Sequence, residues 1–262
     1  MSLLRKLLVL VAFVALTTRA EAIPLLQLDI IGGTYNDTTD TTVATTGTFT
    51  LRALLTPGAS ATPGEISALL ADTYYISAAL TPPTSVGGSL GSFNFAGTPV
   101  NVTADMTYGT PPLDATPLTS EDDLPGHGQF PTYFSQFSFS FLAANTVTAY
   151  NVEPGSDPDE NGRTAYFADF LVTASLTGSN AIHFDLYDSI LARCGSGPPA
   201  NRPVCTPEDI DLGNNAPFSH DAQSGPNTFP DDPPTSVPEP ASFMLISLGA
   251  VGAAAALRRR RA

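Results

Sequence analysis

Ser135-Gln136-Phe137-Ser138-Phe139-Ser140-Phe141 places a phenylalanine at every second position from 137 to 141, with Ser138 and Ser140 between them. A β-strand turns successive side chains to opposite faces, so this stretch has one aromatic face and one hydroxyl face. A helix would scatter the same rings around its circumference. Further on, Ile182, Phe184 and Leu186 alternate in the same way with His183, Asp185 and Tyr187. Similar short segments, rich in β-branched and aromatic residues, occupy 25–31, 48–55, 73–80, 91–95, 100–103, 133–141, 146–152, 164–173 and 181–187, with turn residues between them. One helix is expected over 65–71, following Pro63-Gly64. About nine strands joined by short turns predict an all-β fold. The expected form is an antiparallel β-sandwich, jelly-roll-like, with a closed barrel as the alternative.

Composition supports a folded domain. The chain has 15 Phe and 8 Tyr to build a core, and its 21 Gly and 24 Pro in 262 residues fall short of a low-complexity chain. Charge is unevenly placed. Between residues 23 and 240 the only cations are Arg52, Arg163, Arg193 and Arg202, set against 24 acidic residues, a net charge of about −20. Such a surface repels nucleic acid and anionic lipid, which excludes both as partners.

The two ends read differently from the middle. Arg5 and Lys6 precede the apolar run 7–16 (LLVLVAFVAL), and Ala20-Glu21-Ala22 is a small-x-small cleavage site. Residues 1–22 are therefore expected to be a secretory signal peptide. At the other end Pro238-Glu239-Pro240 is followed by a charge-free stretch, 241–257, and then by Arg258 to Arg261. Seventeen helical residues reach ~25 Å, nearly the thickness of a bilayer core, and arginines beside a span belong on the cytoplasmic side. The expected domains are thus the signal peptide, a sandwich over 23–223, a proline-rich linker over 224–237 (SGPNTFPDDPPTSV), and a tail over 238–262 with one hydrophobic helix.

Motif, span and arginine cluster in this order resemble a PEP-CTERM signal. That resemblance covers about the last 25 residues. It implies an exosortase-type processing enzyme as partner, a transient membrane helix at the C-terminus, and final placement at the cell surface or in the extracellular matrix. The body resembles a choice-of-anchor domain, most like type N, through LQLDIIGGTYND (26–37), DTYYISAAL (72–80), GHGQFPTYFSQFSF (126–139), AIHFDLY (181–187) and APFSHDAQS (216–224). This second resemblance implies a surface role and supplies no catalytic residue.

Cys194 and Cys205 are the only cysteines. Outside the cytoplasm they read as a disulfide closing a short loop, worth roughly 3 kcal/mol. Asp157, Asp159 and Asn161, with Gly162 after them, match the first half of a calcium loop. Position 12 is Ala168 rather than glutamate, and Asp169 comes one place late, so an acidic hairpin turn between 146–152 and 164–173 competes with a Ca²⁺ site. Gly87-Gly88-Ser89-Leu90-Gly91 has the spacing of a nucleophile elbow, but the alternating Ser92-Phe93-Asn94-Phe95 after it reads as strand, not helix. His127, His183 and His220 are far apart in sequence. A metal site could join His127 with His220, though polar packing is the simpler reading.

The expected function is that of an exported surface or matrix protein without catalytic activity, associated with exopolysaccharide. A carbohydrate-binding module is the first alternative and would use exposed rings among Tyr74, Tyr75, Tyr133 and Tyr187. A secreted hydrolase is the second.

Overall fold

The phenylalanine stripe lies where two sheets meet. A computed structural model describes residues 23, 25–109, 111, 131–153, 157–158, 162–191, 210–217 and 220–225. One sheet runs in the order β1 (Leu26–Ile30), β4 (Thr48–Leu55), β13 (Thr164–Leu176), β6 (Gly91–Phe95) and β7 (Thr98–Asn101), with β10 (Thr146–Thr148) also paired to β13. The other runs β2 (Thr34–Asn36), β3 (Thr41–Val43), β16 (Asp221–Gln223), β14 (Ala181–Leu191), β5 (Tyr74–Thr81), β9 (Thr132–Phe139) and β8 (Thr107–Gly109), with β15 (Ile210–Asn215) also on β14. Two-residue strands β11 (Tyr150–Asn151) and β12 (Asp157–Pro158) pair with each other. Both large sheets are open, so the fold is a sandwich rather than a barrel.

The connectivity explains the jelly-roll likeness. Strands β4 and β13 pair in the first sheet, and the strands that follow them in the chain, β5 and β14, pair in the second. An antiparallel ribbon therefore crosses from one layer to the other. Between β4 and β5 the crossing is made by α1 (Pro63–Ala71), whose start is a capping box: the Glu65 amide donates to Thr62 Oγ1, and the Glu65 carboxylate accepts from the Thr62 amide. The pairing is antiparallel except at one described junction, where β16 runs parallel to β3.

Alternation places the rings as expected. Phe137 and Phe139 line the core side of β9, and Phe141 follows them. Phe95 is 3% exposed and stacks on Phe137 at 4.2 Å and on Phe170 at 5.1 Å, while Phe49 meets Phe184 edge to face. Strands β4 and β6 have the limits expected from sequence. The expected strand 146–152 is instead divided: Thr146–Thr148 pair with β13, the Ala149 amide continues that register by donating to Arg163 O, and Tyr150–Asn151 then pair with β12. A smaller cluster of Leu54, Ala149, Val152 and Ala165 sits on the outer side of the first sheet, where Gln27 holds the loop by donating to Tyr150 O and accepting from the Val152 amide.

Gly91 opens β6 at φ +102°, and a Cβ there would lie 2.3 Å from Ser175 O on the neighbouring strand. Both conditions demand glycine. Gly91→Ala is expected to cost ~2–3 kcal/mol in urea unfolding, against a few tenths for Gly58→Ala, whose Cβ would meet nothing.

Among the described residues no helix is long and apolar enough to cross a membrane. The expected signal peptide 1–22, Cys194, Cys205, the expected linker from 226 onward, and the tail with Pro238, Glu239 and Pro240 lie outside the described residues.

Candidate functional site

The face of the second sheet turned away from the core is also buried. On β14, Ile182, Phe184 and Leu186 join the hydrophobic core, which directs His183, Asp185 and Tyr187 to the opposite side. Their exposures are 1%, 0% and 0%. On β16, Ala222 faces the core, so Asp221 and Gln223 face the same way as His183. The register pairs His183 with Gln223 and Phe184 with Ala222, which brings Asp221 level with Asp185. From the other flank β5 sets Ser77 directly opposite Asp185 and Ala79 opposite His183.

Three strands thus bring together groups far apart in sequence. His183 Nε2 lies 3.4 Å from Asp185 Oδ1 and 3.5 Å from Asp221 Oδ2. One donor atom from each of the three residues lies within 4.8 Å of the others, and all three residues are buried. Ser77 is fully buried, and its Oγ has no hydrogen-bond partner among the described residues. Tyr187 lies two residues along the same face and stacks on Tyr75 at 5.9 Å. Burial pulls the His183 imidazole toward lower pKa, but the Asp185 and Asp221 carboxylates outweigh it and hold the value up at about 9. Desolvation, reinforced by the Asp185 charge, pushes the Tyr187 phenol well up, so it stays neutral. Chemically the cluster can hold a cation, whether a proton or a metal ion.

The residues singled out from sequence fare differently. His220 is not one of the three residues of this cluster. It pairs through Nε2 with Asn151 Oδ1 at 2.6 Å, and His127 lies outside the described residues. Histidine count alone therefore pointed away from the cluster. The available signal was His-x-Asp on an alternating strand, with Asp221 in a second polar segment. Ser89 runs into strand β6 without a helix, which leaves no nucleophile elbow. Asp157 falls in β12, whereas Asp159 and Asn161 lie outside the described residues. Gly162 has the left-handed φ of +64° that a sharp turn requires. Asp169 is engaged elsewhere, for its carboxylate takes both Nε and Nη2 of Arg52 at 2.7 Å, and Arg52 also covers the Phe167 ring at 4.5 Å. The four tyrosines form no common platform. Tyr74 and Tyr187 are wholly buried, and Tyr133 packs against Tyr108.

Burial lowers the His220 pKa to about 4. Its folded value lies below its unfolded one, so the unfolded chain takes the proton first. The contribution to stability is full above about pH 6.5 and is lost as pH falls toward 4, by ~3 kcal/mol at most. Carboxylates titrate near the lower limit, so the comparison with His220→Gln isolates the effect. In urea unfolding between pH 7 and 4, that variant is expected to lose stability less steeply than the unmodified protein.

Comparison with known proteins bears on the tail. No curated protein and no solved structure matches the chain. The choice-of-anchor likeness of the body therefore rests on its sequence segments alone. Residues 236–261 match the PEP-CTERM protein-sorting motif. The match contains Pro238-Glu239-Pro240, the charge-free stretch and the arginine cluster. The chain carries a PEP-CTERM sorting motif, which marks an exported protein directed to the cell surface by an exosortase.

Proposed function

We propose that the chain is a non-catalytic protein of the cell surface or extracellular matrix, held among exopolysaccharide after its tail has been removed. The observation that carries this reading is the sorting motif at 236–261. Two features of the sandwich support the absence of catalysis. Its one described cluster of histidine and carboxylates is closed off, with exposures of 0–1%, whereas a catalytic group must touch its substrate. The serine of the Gly-x-Ser-x-Gly stretch lacks the strained strand-to-helix turn that activates a nucleophile. The carbohydrate-binding alternative loses two of its four rings to burial. Polysaccharide contact is accordingly assigned to the acidic surface, through bridging cations, rather than to an aromatic platform.

Fractionation of the producing cells tests this. The protein is expected to sediment with the polysaccharide matrix and to pass into the culture fluid when polysaccharide synthesis is blocked or divalent cations are chelated. Equal distribution in all three conditions would show that polysaccharide does not hold it. Hydrolysis of glycoside, ester or peptide substrates by the purified protein would favour the hydrolase.

A further inference from the structure

We propose that His183, Asp185 and Asp221, with Ser77 beside them, form a binding site for one divalent transition ion of the zinc class. The spacing is the first argument. Ligands ~2.0–2.1 Å from a tetrahedral ion lie ~3.4 Å from one another. The two separations from His183 Nε2, 3.4 and 3.5 Å, match that edge and exceed the ~2.9 Å of an ordinary N–H···O hydrogen bond. The donor set is the second. One imidazole nitrogen with two carboxylates suits Zn²⁺, Mn²⁺ or Fe²⁺, whereas Ca²⁺ and Mg²⁺ prefer all-oxygen shells. Charge is the third. The two carboxylates beside the imidazole are 0% exposed, an anionic donor set whose charge a divalent ion offsets.

Ser77 points independently to a ligand. It is 0% exposed, its Oγ has no hydrogen-bond partner among the described residues, and the register sets it against Asp185 on the same face. A buried hydroxyl left in this state is costly unless something else in the site takes its hydrogen bond. It is placed to hold a water or hydroxide completing the shell. The ion would join β5, β14 and β16, tying down a three-residue strand that is also the only parallel partner in the described sandwich. Three protein ligands leave one position for that water, and every ligand residue is closed off from solvent, so the ion's role is structural.

The test uses the full chain with Asp157→Ala and Asp159→Ala, which removes the candidate calcium loop as a competing site. After chelation and gel filtration, Zn²⁺ is added and excess removed. Elemental analysis is expected to find about one zinc per chain, with a rise in melting temperature that equimolar Mg²⁺ does not reproduce. His183→Gln and Asp221→Asn should each weaken retention at least tenfold while keeping side-chain size. If those variants do not fold, Co²⁺ loading of the otherwise unmodified chain decides. Intense visible d–d bands of a four-coordinate N/O site support the proposal, and the weak bands of a hydrated ion overturn it. Absence of retained zinc, equal shifts with Mg²⁺, or undiminished binding in folded His183→Gln would equally overturn it, the last by assigning the ion to surface carboxylates.

Discussion

Replacing Phe95 with alanine is expected to destabilise the sandwich by ~3–5 kcal/mol. Phe95 lies on β6 at the centre of the ring cluster, stacked on Phe137 and Phe170 and tilted against Phe184, so it touches both layers at once. Its removal opens a cavity between β-sheets whose backbones are fixed by their own ladders and cannot collapse inward. Urea unfolding measures the effect. Leu171→Ala is the control: its side chain is 60% exposed on the outer face of β13, and it should cost less than ~0.5 kcal/mol. Comparable losses for the two would mean that Phe95 does not occupy the inter-sheet core.

The elements legible in the sequence are those long enough to show a period. Ser135–Phe141 and Ile182–Leu186 each contain three apolar residues at alternate positions, and β4 and β6 end at turn residues that any strand must respect. The helix was legible from Pro63-Gly64, and Thr62 with Glu65 adds a capping box three residues apart. The short strands β2, β3 and β16 were not. Three residues such as Thr41–Val43 cannot express a period, and their pairing with Asp221–Gln223 joins segments about 180 positions apart in the chain. That same pairing builds the candidate site. Alternation showed that His183 and Asp185 share a face, but a strand pattern does not reveal whether the face opposite the core meets water. His220 packs as a polar residue against Asn151, and the adjacent Asp221 is the residue whose face turns toward His183.

Substituting alanine for Pro238, Glu239 and Pro240 is expected to produce the largest change in the fate of the protein. Proline supplies no amide hydrogen and resists helix, so the motif is expected to stay extended beside the charge-free stretch 241–257. Alanine favours helix, which can then continue toward the linker and remove the extended recognition segment. Uncut protein should accumulate in the inner membrane while the surface fraction falls by tenfold or more. Deleting Arg258 to Arg261 acts at a different step. If the charge-free stretch spans the membrane as proposed, these charges hold its far end on the cytoplasmic side, and without them retention and orientation are expected to weaken before cutting can occur. Blots of the two variants should therefore differ: uncut membrane protein in the first, and uncut protein poorly retained in the membrane in the second. Equal surface levels for the alanine variant and the unmodified chain would show that the motif is not read.

On the proposed function the tail is a temporary anchor, removed during sorting. Mass spectrometry of the C-terminal peptide from protein recovered at the cell surface decides this. A mature chain ending near residue 240, without the charge-free stretch or Arg258–Arg261, is expected. Recovery of surface protein with residues 241–262 intact would contradict it and make the tail an ordinary membrane anchor.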